Sequence, residues 1–212
     1  MFLCFLSALA ERFADIFFLV DSGVTAVEFQ QIRTILTRLA NQLNIGASAY
    51  RLGWAQYGQD VRDEHLLNAH QTKIETLNDV KRFRQRKLQP NEPRNLGKAL
   101  MYASTNLFTS DAGSRAEQGY RQFLVVISGK DSDDPVYRES RLIKSSGITV
   151  VGLSLGASMQ EMRIVATPRY IYQSITNIVP IMRAAFETEE AETVLTGGEQ
   201  VFFNYTITIT DK

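Results

Sequence analysis

The sequence predicts an α/β fold: a doubly wound, mostly parallel central sheet flanked by helices, Rossmann-like in layout, with one antiparallel edge strand. Three observations carry this. Residues 16–20, 123–127 and 148–153 are apolar throughout rather than alternating, as strands covered on both faces must be. Between them lie stripes at helical spacing: Phe29, Ile32, Leu36, Leu39 and Leu43, then Leu96, Leu100, Ala103 and Leu107. Strand and helix patterns also alternate, which a parallel sheet with helical crossovers requires.

Along the chain, residues 1–13 open with MFLCFLSALA, an apolar run ending in the small-x-small pattern of a signal cleavage site. The run is short and lacks an early cation, so it reads equally as a signal-like segment or as an N-terminal extension. The main domain is expected over 14–187. After the first strand, Thr25-Ala-Val-Glu28 is a capping box, and Val24 is placed to staple against Phe29. Residues 50–57 and 60–67 read as a pair of more exposed strands joined at Gly58, the source of the antiparallel edge. Asp134 before Pro135 reads as a capping aspartate with proline at the first helical position. Residues 188–212 are expected to be an acidic linker and tail, where 201–210 alternates like a strand with no evident partner.

Composition narrows the function. Lys plus Arg (23) equals Asp plus Glu (23), so no global field draws the chain to nucleic acid or an anionic membrane, and neither is an expected partner. Cys4 is the only cysteine, which excludes an internal disulfide and a thiolate metal site. No segment after the first is long and apolar enough to read as a membrane span.

Catalytic motifs fail on their own chemistry. Residues 152–156 (GLSLG) fit the G-x-S-x-G nucleophile elbow, but that chemistry needs a later histidine, and both histidines come earlier. A glycine-bounded strand exit is the expectation for Ser154. Gly97-Lys98 and Gly129-Lys130 lack the flanking residues of a phosphate loop. His65 and His70 are five apart, which on a helix points them to different faces. They are expected to serve separately, one on a strand and one capping a helix. Nothing here indicates an enzyme.

With "DIFFLVDSG" early, "NLGKALMYA" in the middle and "FLVVISGKDSDD" late, residues 14–187 resemble a von Willebrand factor A domain, with the nearest likeness among the A-type domains of collagen VI. The resemblance implies a secreted, non-catalytic module of the extracellular matrix that contributes to collagen VI microfibril assembly and to matrix or cell adhesion. Implied partners are matrix proteins, other collagen VI chains or A-type domains. An intracellular A-type scaffold within a larger complex is the alternative.

Metal-binding members of that family hold magnesium with D-x-S-x-S from one loop, a threonine from a second and an aspartate from a third. Here the first loop reads Asp21-Ser22-Gly23-Val24-Thr25, with Gly23 in place of a hydroxyl. Arg94 stands at the threonine position and Ser128 at the aspartate position. Magnesium needs hard, partly anionic oxygen ligands, and one carboxylate with two hydroxyls is a poor set. The site is expected to be degenerate and the protein to need no cofactor, with an arginine beside Asp21 answering its charge. Asp131, Asp133 and Asp134 are expected to be turn and cap residues.

Two surface features remain. Lys81, Arg82, Arg84, Arg86 and Lys87 lie within seven residues. They read as a solvated helix end suited to the negative pole of the dipole, or as a local basic patch for a heparin-like glycosaminoglycan. Asn204-Tyr205-Thr206 is an N-glycosylation sequon.

Overall fold

In the computed structural model the described residues are 13–70 and 72–187. The segment 1–12, the acidic run from 188 and Asn204 lie outside them.

Six strands form one sheet in the order β3-β2-β1-β4-β5-β6. They are β1 (Ala14–Asp21), β2 (Arg51–Tyr57), β3 (Val61–His65), β4 (Arg121–Ser128), β5 (Ile148–Ser154) and β6 (Ile171–Tyr172). All neighbours are parallel except β2 and β3. The sheet therefore has the predicted plan, antiparallel edge included. β6 has only two residues and leaves no apolar run to read in advance.

The helices are α1 (Ala26–Gln42), α2 (Lys73–Arg82), α3 (Leu96–Tyr102), α4 (Tyr137–Ser145), α5 (Met159–Val165) and α6 (Ile178–Glu187). Strand alternation divides the core between the two faces. Ile16, Phe18, Val20, Trp54, Val125 and Ile127 pack with Phe29, Ile32, Leu36 and Leu39 of α1 and Met182 and Phe186 of α6. Phe17, Leu19, Tyr57, Leu124 and Val126 pack with Leu96 and Leu100 of α3, Ile143 of α4 and Met162 of α5. Helices cover both faces, which is why β1, β4 and β5 are apolar at nearly every position.

The capping box forms as read: Thr25 Oγ1 accepts from Glu28 N (3.2 Å) and Glu28 Oε2 accepts from Thr25 N (2.7 Å). The second apolar stripe is helical, but α3 passes into a π-helical turn at Ala103–Leu107. One expectation is corrected. Asp134 does not cap the helix it precedes, for α4 begins at Tyr137 after Val136, with no side-chain cap. Its carboxylate accepts instead from Gly97 N and Lys98 N, both at 2.8 Å, at the start of α3. Those amino-terminal N–H groups lack partners within their own helix, and a neighbouring loop supplies one.

At the opposite end of β1, Asp15 is fully buried against Arg115. Arg115 Nε donates to Asp15 Oδ1 (2.8 Å), Arg115 N to Oδ2 (2.7 Å), and Gln122 Nε2 to Oδ2 (3.0 Å). The guanidinium also lies over the Tyr120 ring at 3.7 Å. This pair ties the loop before β4 to the sheet. No described helix is long and apolar enough to cross a membrane.

Candidate functional site

The strand registers set the candidate residues in a row along the carboxyl edge of the sheet. Asp21 lies opposite Tyr57, and Ser128 opposite Ser154. In a doubly wound sheet this edge, where strand ends meet helix starts, is where sites form.

Asp21 is completely buried. Its Oδ1 accepts from Gly23 N (2.7 Å), and its Oδ2 accepts from Gly129 N (3.0 Å) and from Arg94 Nη1 (3.2 Å). The same Nη1 donates to Gly23 O at 3.2 Å. Arg94 is anchored through its backbone, with N donating to Asp133 Oδ2 (2.7 Å) and O accepting from Asp133 N (2.9 Å). The guanidinium thus sits on the carboxylate as a fixed positive partner, in a charge-assisted contact.

Gly23 makes that position available. A Cβ at residue 23 would lie 2.6 Å from Arg94 Nη1 and 2.7 Å from Cζ. The backbone of Gly23 is not left-handed, so the requirement is for space alone. A serine at 23 and the arginine as placed exclude each other.

The hydroxyls are engaged as well. Thr25 Oγ1 donates to Glu28 Oε2 (2.8 Å). Ser128 Oγ donates to Lys130 O (2.7 Å) and accepts from Tyr57 OH (3.0 Å). Burial, then the nearby Asp21 charge, push the Tyr57 phenol well above its ordinary range, so it stays neutral as that donor. Ser22 Oγ is buried and makes no hydrogen bond. A divalent ion at Asp21 would find one carboxylate already bonded to two N–H groups and an arginine, two committed hydroxyls and one free neutral hydroxyl. That donor set does not fit magnesium, which prefers near-octahedral oxygen ligation with anionic ligands.

The nearby acids serve backbone groups. Asp131 accepts from Ser158 N, Asp133 and Asp134 act as described above, and Glu161 accepts from Ser132 N (2.9 Å). Ser154 is buried and donates to Ala157 O at 2.6 Å. The glycine two residues on serves loop packing, because a Cβ at Gly156 would meet Gly129 O at 2.2 Å.

The basic run straddles the end of α2. Arg82 pairs with Asp79 and Arg86 with Glu92, while Arg84 Nη1 donates to Lys81 O (2.6 Å). Lys81, Arg84 and Lys87 are exposed.

The separation expected for the histidines is overturned. His65 ends β3, but His70 does not cap α2, whose N-cap is Thr72. Both rings reach one carboxylate: His65 Nδ1 lies 3.0 Å and His70 Nε2 2.9 Å from Asp79 Oδ2. The helical-face argument fails because the turn after β3 folds the chain back toward α2.

A doubly wound sheet with its polar loops gathered at the carboxyl edge, and an acid-serine tip on its central strand, defines an A-type domain. The family model for the von Willebrand factor type A domain matches residues 15–178, and the chain belongs to that family. Among curated relatives, the collagen alpha-4(VI) chain of Mus musculus is 30% identical over 147 residues, 68% of this chain and 6% of that one. Matrilin-1 of Mus musculus is 30% identical over 149 residues, 68% of this chain and 29% of that one. This chain thus spans a small part of either relative. The sequence reading expects a likeness to the N-terminal A-type domains of the collagen VI alpha-3 chain; the collagen VI relatives that match include alpha-4, alpha-5 and alpha-6 chains.

Among solved structures, proximal thread matrix protein 1 from the mussel byssus, with a zinc-occupied MIDAS motif, gives a TM-score of 0.71 at 18% identity, covering 82% of this chain and 47% of that one. The manganese-loaded TRAP protein of Plasmodium vivax gives 0.64 at 17% identity, covering 82% and 73%. At these identities the likeness shows the fold alone, and the metals belong to those proteins.

Proposed function

We propose that this domain is a secreted, non-catalytic contact module of the extracellular matrix that binds its partners without a bridging divalent metal at the sheet's carboxyl edge. Its partners are matrix proteins, among them collagen VI chains or other A-type domains, and its work is microfibril assembly and adhesion within a longer chain. One observation carries the metal-independent part: the Arg94 guanidinium lies on buried Asp21, in space that Gly23 leaves open. The kinship with a collagen VI chain and matrilin-1 supports the matrix setting. The non-catalytic reading is supported by the burial of Ser154, whose hydroxyl is bonded to Ala157 O.

The test is binding to collagen VI microfibrils with and without millimolar Mg²⁺. The reading expects equal affinity in both buffers and fails if binding appears only when Mg²⁺ is added. A second contact is proposed at Lys81, Arg82, Arg84, Arg86 and Lys87 for a sulfated polysaccharide. Exposure of Lys81, Arg84 and Lys87 supports it, and those three are the cations to test.

A further inference from the structure

We propose that His65, His70 and Asp79 form a binding site for a zinc-class transition metal, separate from the Asp21 pocket and independent of the function proposed above. The donors come from three pieces of chain: the end of β3, the turn after it, and the second turn of α2. Each offers one ligand atom, and the three atoms lie within 4.8 Å of one another. Two of the separations, 3.0 and 2.9 Å, run from the imidazole nitrogens to Asp79 Oδ2. Tetrahedral zinc with bonds of about 2.0–2.2 Å spaces its ligand atoms about 3.3 Å apart, so those two distances need to open by only a few tenths of an ångström.

The surroundings prepare the first ligand. The β2–β3 ladder slips at Trp54/Ala55, pairing Trp54 with His65 and Ala55 with Asp63, so Glu64 is the extra residue of a bulge. Such a bulge re-aims the side chains beside it. It sets His65 on the face of Trp54, with ring centroids 4.0 Å apart and planes 4° from parallel. His65 is buried there, so packing holds the direction of its ring.

Asp79 is oriented in turn. Its other oxygen, Oδ1, pairs with Arg82, which leaves Oδ2 facing the two rings. Outer partners of this kind fix the direction of a metal ligand. His70 and Asp79 are part-exposed, so an ion can enter from solvent and keep water in its fourth position. Imidazole nitrogens select zinc, copper or nickel over magnesium and calcium. With metal bound, His65 Nδ1 and His70 Nε2 present lone pairs to it, and each ring carries its proton on the other nitrogen.

The chain's one tryptophan, Trp54, reports on the site directly. The full chain, stripped with chelator and then freed of it, is titrated with ZnCl₂ and followed by tryptophan fluorescence and calorimetry. The expected result is a saturable change at one equivalent, weakened more than tenfold by His70→Ala and by Asp79→Asn and unaltered by Asp21→Asn. His70 is part-exposed, so the His70→Ala chain should keep the wild-type circular dichroism. Absence of saturation up to millimolar zinc, binding undiminished in folded His70→Ala, or binding lost only in Asp21→Asn would each overturn the proposal.

Discussion

Gly23→Ala is the sharpest perturbation of the Asp21 pocket. The new methyl carbon would lie 2.6 Å from Arg94 Nη1, 2.7 Å from Cζ and 2.9 Å from Cδ, so the arginine must swing away. Asp21 then loses its guanidinium but retains Gly23 N and Gly129 N as donors. Removing one partner of a buried ion pair costs about 3–5 kcal/mol when burial is complete. Here the Arg94 side chain is 22% exposed and the carboxylate keeps two hydrogen bonds, which places the loss nearer about 2–3 kcal/mol. Replacing glycine returns about 0.4–1 kcal/mol through the unfolded chain, leaving a net loss of about 2 kcal/mol. Arg94→Ala alone should lose about 2–3 kcal/mol for the same reason. In the double variant there is no clash and the pair is lost only once, so the total should stay near about 2 kcal/mol rather than the sum of the singles. Urea denaturation of all four proteins measures this coupling. Losses that add to within about 0.5 kcal/mol would refute the shared-space argument.

Two further outcomes are expected. Arg115→Met leaves the fully buried Asp15 without its guanidinium and should cost about 3–5 kcal/mol in urea denaturation, with a loss under about 1 kcal/mol counting against a structural role for the pair. Replacing Lys81, Arg84 and Lys87 together by alanine should move heparin-column elution to clearly lower salt, and unchanged elution would remove the basic run as a polyanion contact.

The sheet was legible because its physics is local to each strand. A strand buried on both faces is apolar at nearly every position, so β1, β4 and β5 announce themselves, and Gly58 between two mixed runs announces the β2–β3 hairpin. Interactions that join distant segments leave no such mark. The pair Asp15 and Arg115 is separated by 100 residues, and nothing near either residue requires the other. Asp134 sits where a cap for the following helix would sit, yet α3 comes nearer. The histidines were read by helical spacing, whereas a bulge and a turn that only tertiary packing fixes bring them to Asp79. At the Asp21 pocket, the sequence supplies the acid, the glycine and the arginine. That a side chain at 23 would meet the arginine follows only from the fold.

In the proposed metal-independent mode, the Arg94 guanidinium answers the charge of Asp21 in place of a cation. Gly23 N and Gly129 N both bond that carboxylate, so their amide resonances are the direct reporters. With Mg²⁺ titrated into ¹⁵N-labelled protein through the millimolar range, both resonances should stay where they are. Saturable shifts of both, abolished by Asp21→Asn, would contradict it.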